Sequence, residues 1–289
     1  MHPPTLALHR RTAWTLACAL ALAGCAGLAP PADPPWPERL HRLLPADVLL
    51  LGEQHDATEH QRLQREAVQW LAARGQLAAL VLEMAEQGHT TAGLPRDATD
   101  AQAQAALHWN DAAWPWNDAA WPWKAYGPVV MAAVAAGVPV LGGNLPRSRM
   151  RAAMAETAWD QHLPAPALQR QHDALRTGHC GLLPDAQIAP MARIQIARDA
   201  SLARTAQEAL RPGQTVLLVA GGGHVLRSLG VPTHWPANLV SKVALAQTEQ
   251  AQTAIKTDAN MVIRTPALPP HDACAELRGQ WRAAPRSQP

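Results

Sequence analysis

The stretch Leu49-Leu50-Leu51-Gly52-Glu53-Gln54-His55-Asp56 breaks an apolar run on a glycine and then presents a carboxylate and an imidazole two residues apart. Such a pair can hold or move a proton, or offer an oxygen and a nitrogen to a metal ion. Three further apolar runs end in the same way. Residues 79–82 lead into Glu83, residues 138–141 into Gly142, Gly143, Asn144 and then Arg147, and residues 216–220 into Gly221, Gly222, Gly223 and His224. Any one of these polar residues is most simply a loop or capping group. Four coincident ends favour a shared site, because the carboxyl ends of parallel strands lie along one edge of a sheet. Glu53, His55, Glu83, Asn144, Arg147 and His224 are therefore expected to converge on one cleft.

The elements that must position them can be read from spacing. Short apolar runs bounded by turn signals are buried strands, and a two-residue offset sends Glu53 and His55 to the same side of an extended chain. Helical spacing recurs over 57–74, where Leu63, Ala67, Trp70 and Leu71 share a stripe and Gly75 supplies the stop. Further helices are predicted over 125–136, 146–159, 166–176 and 184–210. On the last, Gln195 shares a stripe with Ile188, Met191 and Leu202, and its amide there needs a partner. Residues 225–229 are predicted as a helix whose N-terminus faces the glycines, 239–245 and 261–264 as strands, and the chain from Pro266 as loop. The fold class expected is α/β, a mostly parallel central sheet flanked by helices, occupying 38–289 with helical insertions at about 99–136 and 146–212.

Arg10 and Arg11 precede an apolar stretch over 13–23 that ends in Leu22-Ala23-Gly24-Cys25. The core is too short to cross a bilayer and has the plan of a secretory signal. The tetrapeptide resembles a bacterial lipoprotein lipobox, which implies a signal peptide over 1–24, lipid on Cys25 and, with Ala26 following, an anchor in the outer membrane facing the periplasm. Residues 26–37 hold five prolines and no periodic pattern, so 25–37 is expected to be anchor and tether. Once Cys18 is removed and Cys25 lipidated, Cys180 and Cys274 remain, and in an oxidising compartment they most simply form a disulfide. The rival reading makes Cys180 a nucleophile beside His179. A net charge of +2 with scattered basic residues gives no nucleic-acid face. No HExxH, GxSxG or P-loop pattern occurs, so a zincin, a serine hydrolase with a nucleophile elbow and a P-loop nucleotide site are all disfavoured.

Residues 110–116 and 117–123 are identical copies of Asn-Asp-Ala-Ala-Trp-Pro-Trp, and five of the eleven tryptophans lie between Trp109 and Trp123. Tyr126, the one tyrosine of the chain, follows closely. Aromatic faces stack on flat ligands, and a phenol can ligate ferric haem iron.

Taken in order and spacing, several short motifs resemble the ChaN-type haem-binding lipoproteins, within the superfamily that includes Tiki, TraB and erythromycin-esterase-like proteins. They are Gly52-Glu53-Gln54-His55-Asp56 with His60, Leu82-Glu83-Met84, Trp123-Lys124-Ala125-Tyr126-Gly127-Pro128, Gly143-Asn144-Leu145-Pro146-Arg147, Gly178-His179-Cys180-Gly181, Met191 with Gln195-Ile196-Ala197-Arg198-Asp199, and Gly221-Gly222-Gly223-His224. The resemblance spans about 38–275. It implies an α/β fold, binding of a b-type haem for haem or iron uptake, an outer-membrane haem receptor as partner, and a pocket shared by two protomers of a homodimer. Tyr126 is then the expected axial ligand, with His224, His179 or His55 as second ligand or hydrogen-bond partner. Arg147 and Arg198 would meet the propionates, Trp121 and Trp123 would cover the ring, and Asn144 and Gln195 would line the pocket. The duplicated segment departs from the family pattern and could displace Tyr126 or add a wall to its pocket. The alternative is a metal-dependent hydrolase, resembling the Tiki branch, in which Glu53, His55, Glu83 and His224 hold a divalent metal ion with an open position.

Overall fold

The computed structural model describes residues 34–109, 121–249 and 257–283. The expected signal peptide, Cys25, most of the expected tether and residues 110–120 of the repeated segment lie outside the described residues.

Six strands form one sheet in the order β3-β2-β4-β1-β5-β6, with every neighbouring pair parallel. They are β1 (Val48–Glu53), β2 (Leu77–Glu86), β3 (Val140–Asn144), β4 (Thr215–Gly221), β5 (Ser241–Thr248) and β6 (Met261–Thr265). The strand runs are apolar at successive positions because both faces of the sheet are covered. Leu49, Leu51, Leu80, Leu82, Leu217 and Val219 face one core, together with α1 (Trp36–His41), α2 (Thr58–Ala72), α3 (Asp100–Leu107) and α4 (Trp123–Ala136). Val48, Leu50, Val81, Val216 and Leu218 face the other, against Leu202, Ala203 and Ala206 of α7 (Asp185–Glu208). The crossover from β3 to β4 also carries α5 (Arg147–Ala155), a 3-10 turn at Thr157–Gln161 and α6 (Ala165–Gly178). The result is a three-layer α/β/α domain, as expected from the strand and helix periods.

Several boundaries differ from those the sequence predicts. The tether does not run to residue 37: Trp36 is 7% exposed in the core, and its indole N–H donates to the carbonyl of Leu63 at 2.9 Å. Strand β2 continues past Leu82 to Glu86, so Glu83 lies inside a strand and not beyond its end. Gly142 and Gly143 belong to β3 and not to a loop, because the strand passes so close to Glu86 that a Cβ on Gly142 would collide with its backbone. The helical turn after β4, α8 (Gly222–Val225), ends where the helix over 225–229 is expected to begin; Leu226 is extended. The tail is not loop throughout. A helix, α9 (Ala273–Ala283), follows Pro269 and Pro270, and a Cys180–Cys274 disulfide with a Cα–Cα distance of 5.6 Å ties its start to the end of α6. No helix among the described residues is long and apolar enough to cross a membrane.

Candidate functional site

Glu53 is the last residue of β1 and is 3% exposed. A carboxylate buried there needs donors on both oxygens, and the surrounding elements supply four. Oε1 accepts from the Tyr126 hydroxyl at 2.6 Å and from His55 Nδ1 at 2.7 Å. Oε2 accepts from Gln61 Nε2 at 2.9 Å and from Gln64 Nε2. Gln61 and Gln64 sit one turn apart on α2, so the helix that covers this face of the sheet also presents two amides to the strand end. Because Glu53 can only accept, the proton of the His55 pair lies on Nδ1 and Nε2 is left to face the cleft.

Glu83, 2% exposed on β2, is the second centre. Its Oε2 accepts the Gly221 backbone N–H at 2.7 Å and lies 3.9 Å from His55 Nε2; its Oε1 is 3.4 Å from His224 Nε2. The other nitrogen of His224 meets Asp199 Oδ1 of α7 at 2.7 Å. Gly221 lets the strand end pass close to the imidazole: a Cβ on it would stand 3.1 Å from His55 Nε2, a tight contact. Asn144 braces the same point from β3, donating from Nδ2 to the Glu83 carbonyl at 2.8 Å.

The charges set one another. Burial alone would raise the Glu83 carboxyl, but the His224 imidazolium, its hydrogen bond, His55 and the Gly221 N–H hold it well below the carboxylate range. Burial would lower His224, yet Glu83 and Asp199 push it up to about 10. Asp199 is raised to about 6 by burial, with His224 opposing. For His55, burial pulls down, and the Glu53 hydrogen bond with the Glu83 and Glu53 charges leaves the imidazole raised. Tyr126 is pushed far up, first by burial and then by the charge and hydrogen bond of Glu53.

Aromatic rings roof this arrangement. Trp121 meets His55 edge-on at 5.6 Å between ring centroids, and Trp109 lies 5.9 Å from Tyr126 and 5.2 Å from Trp123. The indole of Trp109 donates to the Trp121 carbonyl at 3.0 Å, pinning both ends of the repeated segment together. Trp123 folds back over Gly127, where a Cβ would come 2.6 Å from its Nε1.

Glu53, His55, Glu83, Asn144 and His224 thus converge as the strand ends predict, joined by Tyr126 and Trp121, while other expected residues stand apart. His179 caps its own helix, with Nδ1 on the Leu175 carbonyl at 2.8 Å. Gln195 is half-buried and makes none of the cluster's hydrogen bonds. Arg147 is exposed on the rim, its backbone N–H donating to Glu86 Oε1 at 3.1 Å. Arg198 is half-buried on α7, where burial lowers its guanidinium pKa against the charges of Glu83 and Asp199. Tyr126 is 0% exposed, its hydroxyl donates to Glu53 Oε1 at 2.6 Å, and burial with the charges of Glu53 and Glu83 favours its neutral form. Among the described residues no three His, Cys, Asp or Glu side chains are arranged to hold a metal ion. Asp199, Gln61 and Gln64 were not assigned to the site from sequence. A cavity of about 390 Å³ opens beside Asp47, Gln76 and Thr215, at the other edge of the sheet and away from this chemistry.

The model of the family described as haem-binding uptake, Tiki superfamily, ChaN matches residues 39–234. Among solved structures, one described as cofacial haem binding to ChaN of Campylobacter jejuni is similar at 21% identity, over 78% of this chain and 89% of that one, with a TM-score of 0.59. The type III effector HopBA1 gives 14% identity over 77% and 88% with a TM-score of 0.44, and a Bacillus cereus protein 11% over 73% and 68% with 0.39. No curated protein matches the chain.

Proposed function

The chain belongs to the ChaN family of the Tiki superfamily, described as haem-binding uptake, and from that premise we propose that it binds a b-type haem at the carboxyl edge of its sheet for haem uptake. The observation that carries the reading is the state of His55. Its Nδ1 is held on a buried carboxylate at 2.7 Å while its side chain remains 24% exposed, and an imidazole anchored at one nitrogen offers the other to iron in a fixed direction. His55 is thus the axial donor in this reading. Glu53, the two amides of α2 and Tyr126 form the shell that orients it. Trp121 supplies an apolar wall, and Arg147, exposed at the rim, is the guanidinium suited to a propionate. Bound haem would supply a ferric iron for ligation; the protein's part is to present a nitrogen, exclude water and neutralise carboxylates.

The lipobox resemblance at Leu22-Ala23-Gly24-Cys25 supports a lipid-anchored form at the periplasmic face of the outer membrane, where a haem receptor is the natural donor and a pocket shared by two protomers the natural capture site. Haemin titration of the chain lacking residues 1–25, followed by absorption, tests the central reading. A saturable Soret change in the wild type that weakens at least tenfold in His55→Ala supports it; saturation unaffected by His55→Ala removes His55 from the site, and no saturable change overturns haem binding itself.

A further inference from the structure

The cavity of about 390 Å³ at the amino edge of the sheet takes no part in the haem reading. It opens among residues that lead into four strands: Asp47 precedes β1, Gln76 precedes β2, Thr215 begins β4 and Val240 comes just before β5. Sites for small molecules have volumes of about 300–1,000 Å³, so there is room for a ligand. The polar lining is one-sided. Asp47 Oδ2 accepts the Val240 N–H at 2.8 Å, while its other oxygen has no partner among the described residues. Gln76 Oε1 is closed to solvent and meets no donor among the described residues. The donors of the lining are already engaged. The Thr215 hydroxyl donates to the Ala46 carbonyl and Gln214 Nε2 to the Gly75 carbonyl, each at 2.8 Å. The backbone N–H groups of Asp47, Gln76, Gln214 and Thr215 are likewise bonded to carbonyls.

Charge points the same way. No lysine or arginine among the described residues lines the cavity, and His41, exposed at the end of α1, is its one basic side chain. Helices α2 and α7 end at Ala72 and Glu208, a few residues before Gln76 and Thr215, and a helix C-terminus carries partial negative charge that favours a cation. The arginines of those two connections turn to chain carbonyls, Arg74 to that of Trp70 at 3.1 Å and Arg211 to that of Leu210 at 2.8 Å. An apolar wall completes the lining: Val240, 48% exposed, is one of two large apolar side chains left open to water among the described residues.

We propose that this cavity is a second binding site, for a small organic ammonium ion on a short aliphatic stem. The ammonium group donates to Asp47 Oδ1 in a charge-assisted hydrogen bond. A half-turn of the Gln76 amide exchanges its two ends and gives its oxygen a second N–H of the same group. The stem lies on Val240 and removes its apolar surface from water. The site shares no residue with the His55 edge, so its occupancy does not depend on haem.

Amide proton–nitrogen correlation spectra of the labelled full chain, titrated with putrescine at constant ionic strength, test the proposal. Saturable shifts are expected for the Gln76 side-chain amide and the Asp47, Thr215 and Val240 backbone amides, with Glu53 and His55 unmoved. Asp47→Asn keeps an acceptor for the Val240 N–H and should weaken binding at least about tenfold. Val240→Ser leaves the carboxylate in place and should weaken binding severalfold, which keeps the test decisive if Asp47→Asn fails to fold. Butanediol, which lacks the charge, and succinate, which reverses it, should give no saturable shift. Absence of saturable shifts with putrescine, shifts centred on Glu53 and His55 instead, equal binding of butanediol, or binding indifferent to both substitutions would each overturn the proposal.

Discussion

Glu53 gathers more of the site than any other residue. Four donors from a strand end, two turns of α2 and α4 terminate on its two oxygens, in a place almost closed to water. Removing the acceptor would leave buried donors unmet, so Glu53→Ala is expected to lower stability by roughly 3–5 kcal/mol, as breaking a buried charged pair does. Glu53→Gln keeps the shape and one acceptor and should cost about 1–3 kcal/mol. Urea denaturation followed by circular dichroism checks both, and equal costs would show that packing alone matters at this position. His55 has a raised pKa, so below it a proton occupies the nitrogen offered to iron. Haemin affinity is therefore expected to fall as pH drops through that raised value, by up to about tenfold per unit; titrations on either side of neutrality read it directly. At this scale the sequence was informative where chemistry sits at strand ends: Glu53, His55, Glu83 and His224 could be grouped from four apolar runs. Asp199, Gln61 and Gln64 could not, because they lie within helices and acquire meaning only from strands distant in the chain. Nor does the sequence reveal that the Tyr126 hydroxyl donates to a carboxylate 73 residues earlier.

Between elements, imidazoles do much of the joining, and their charge states make the joints depend on pH. His224 links β4 to β2 and α7; its folded pKa of about 10 is above the ordinary 6.5, so its contribution is complete below 6.5 and is lost as pH rises toward 10. The loss is bounded at roughly 5 kcal/mol by the size of the shift, less the cost of keeping Asp199 ionised. A second pair works in the opposite sense. His162, after the Thr157–Gln161 turn, stacks on His234 with centroids 3.8 Å apart and accepts or donates at Thr233 Oγ1, 2.9 Å away. Burial, with His162 adjacent, lowers His234 to about 3, and burial lowers His162 too. Their stability is complete above 6.5 and is lost as pH falls below it. Thermal unfolding across pH is thus expected to show a maximum near neutrality, with His234→Phe flattening the acid limb; an unchanged acid limb would contradict this origin. The disulfide spans 94 residues, and its reduction should cost about 3–5 kcal/mol on a chain-entropy account. Cys180→Ser/Cys274→Ser should show the same loss and be insensitive to reductant. Element types were mostly legible because both periods are strong. Boundaries failed where tertiary packing decides, as at Gly142, which follows the bend of β2, and at α9, which the disulfide holds behind a proline pair.

For the whole molecule, parallel pairing explains why polar groups separated by as much as 171 positions, from Glu53 to His224, meet at one edge: each crossover returns the chain to the far end of the sheet, so every strand presents its carboxyl end on the same side. The architecture could be anticipated from the repeated order of apolar run and helix. The strand order could not, since β4 inserts between β1 and β2 from the far end of the chain. Family membership supports haem binding, and the proposal made for this edge is that His55 is the iron donor while the phenol stays protonated. The most direct test is EPR and absorption of the ferric complex in wild type, Tyr126→Phe and His55→Ala. The account predicts ligand-field signatures that are unchanged by Tyr126→Phe and altered by His55→Ala. A phenolate charge-transfer band in the wild type that vanishes in Tyr126→Phe would contradict it.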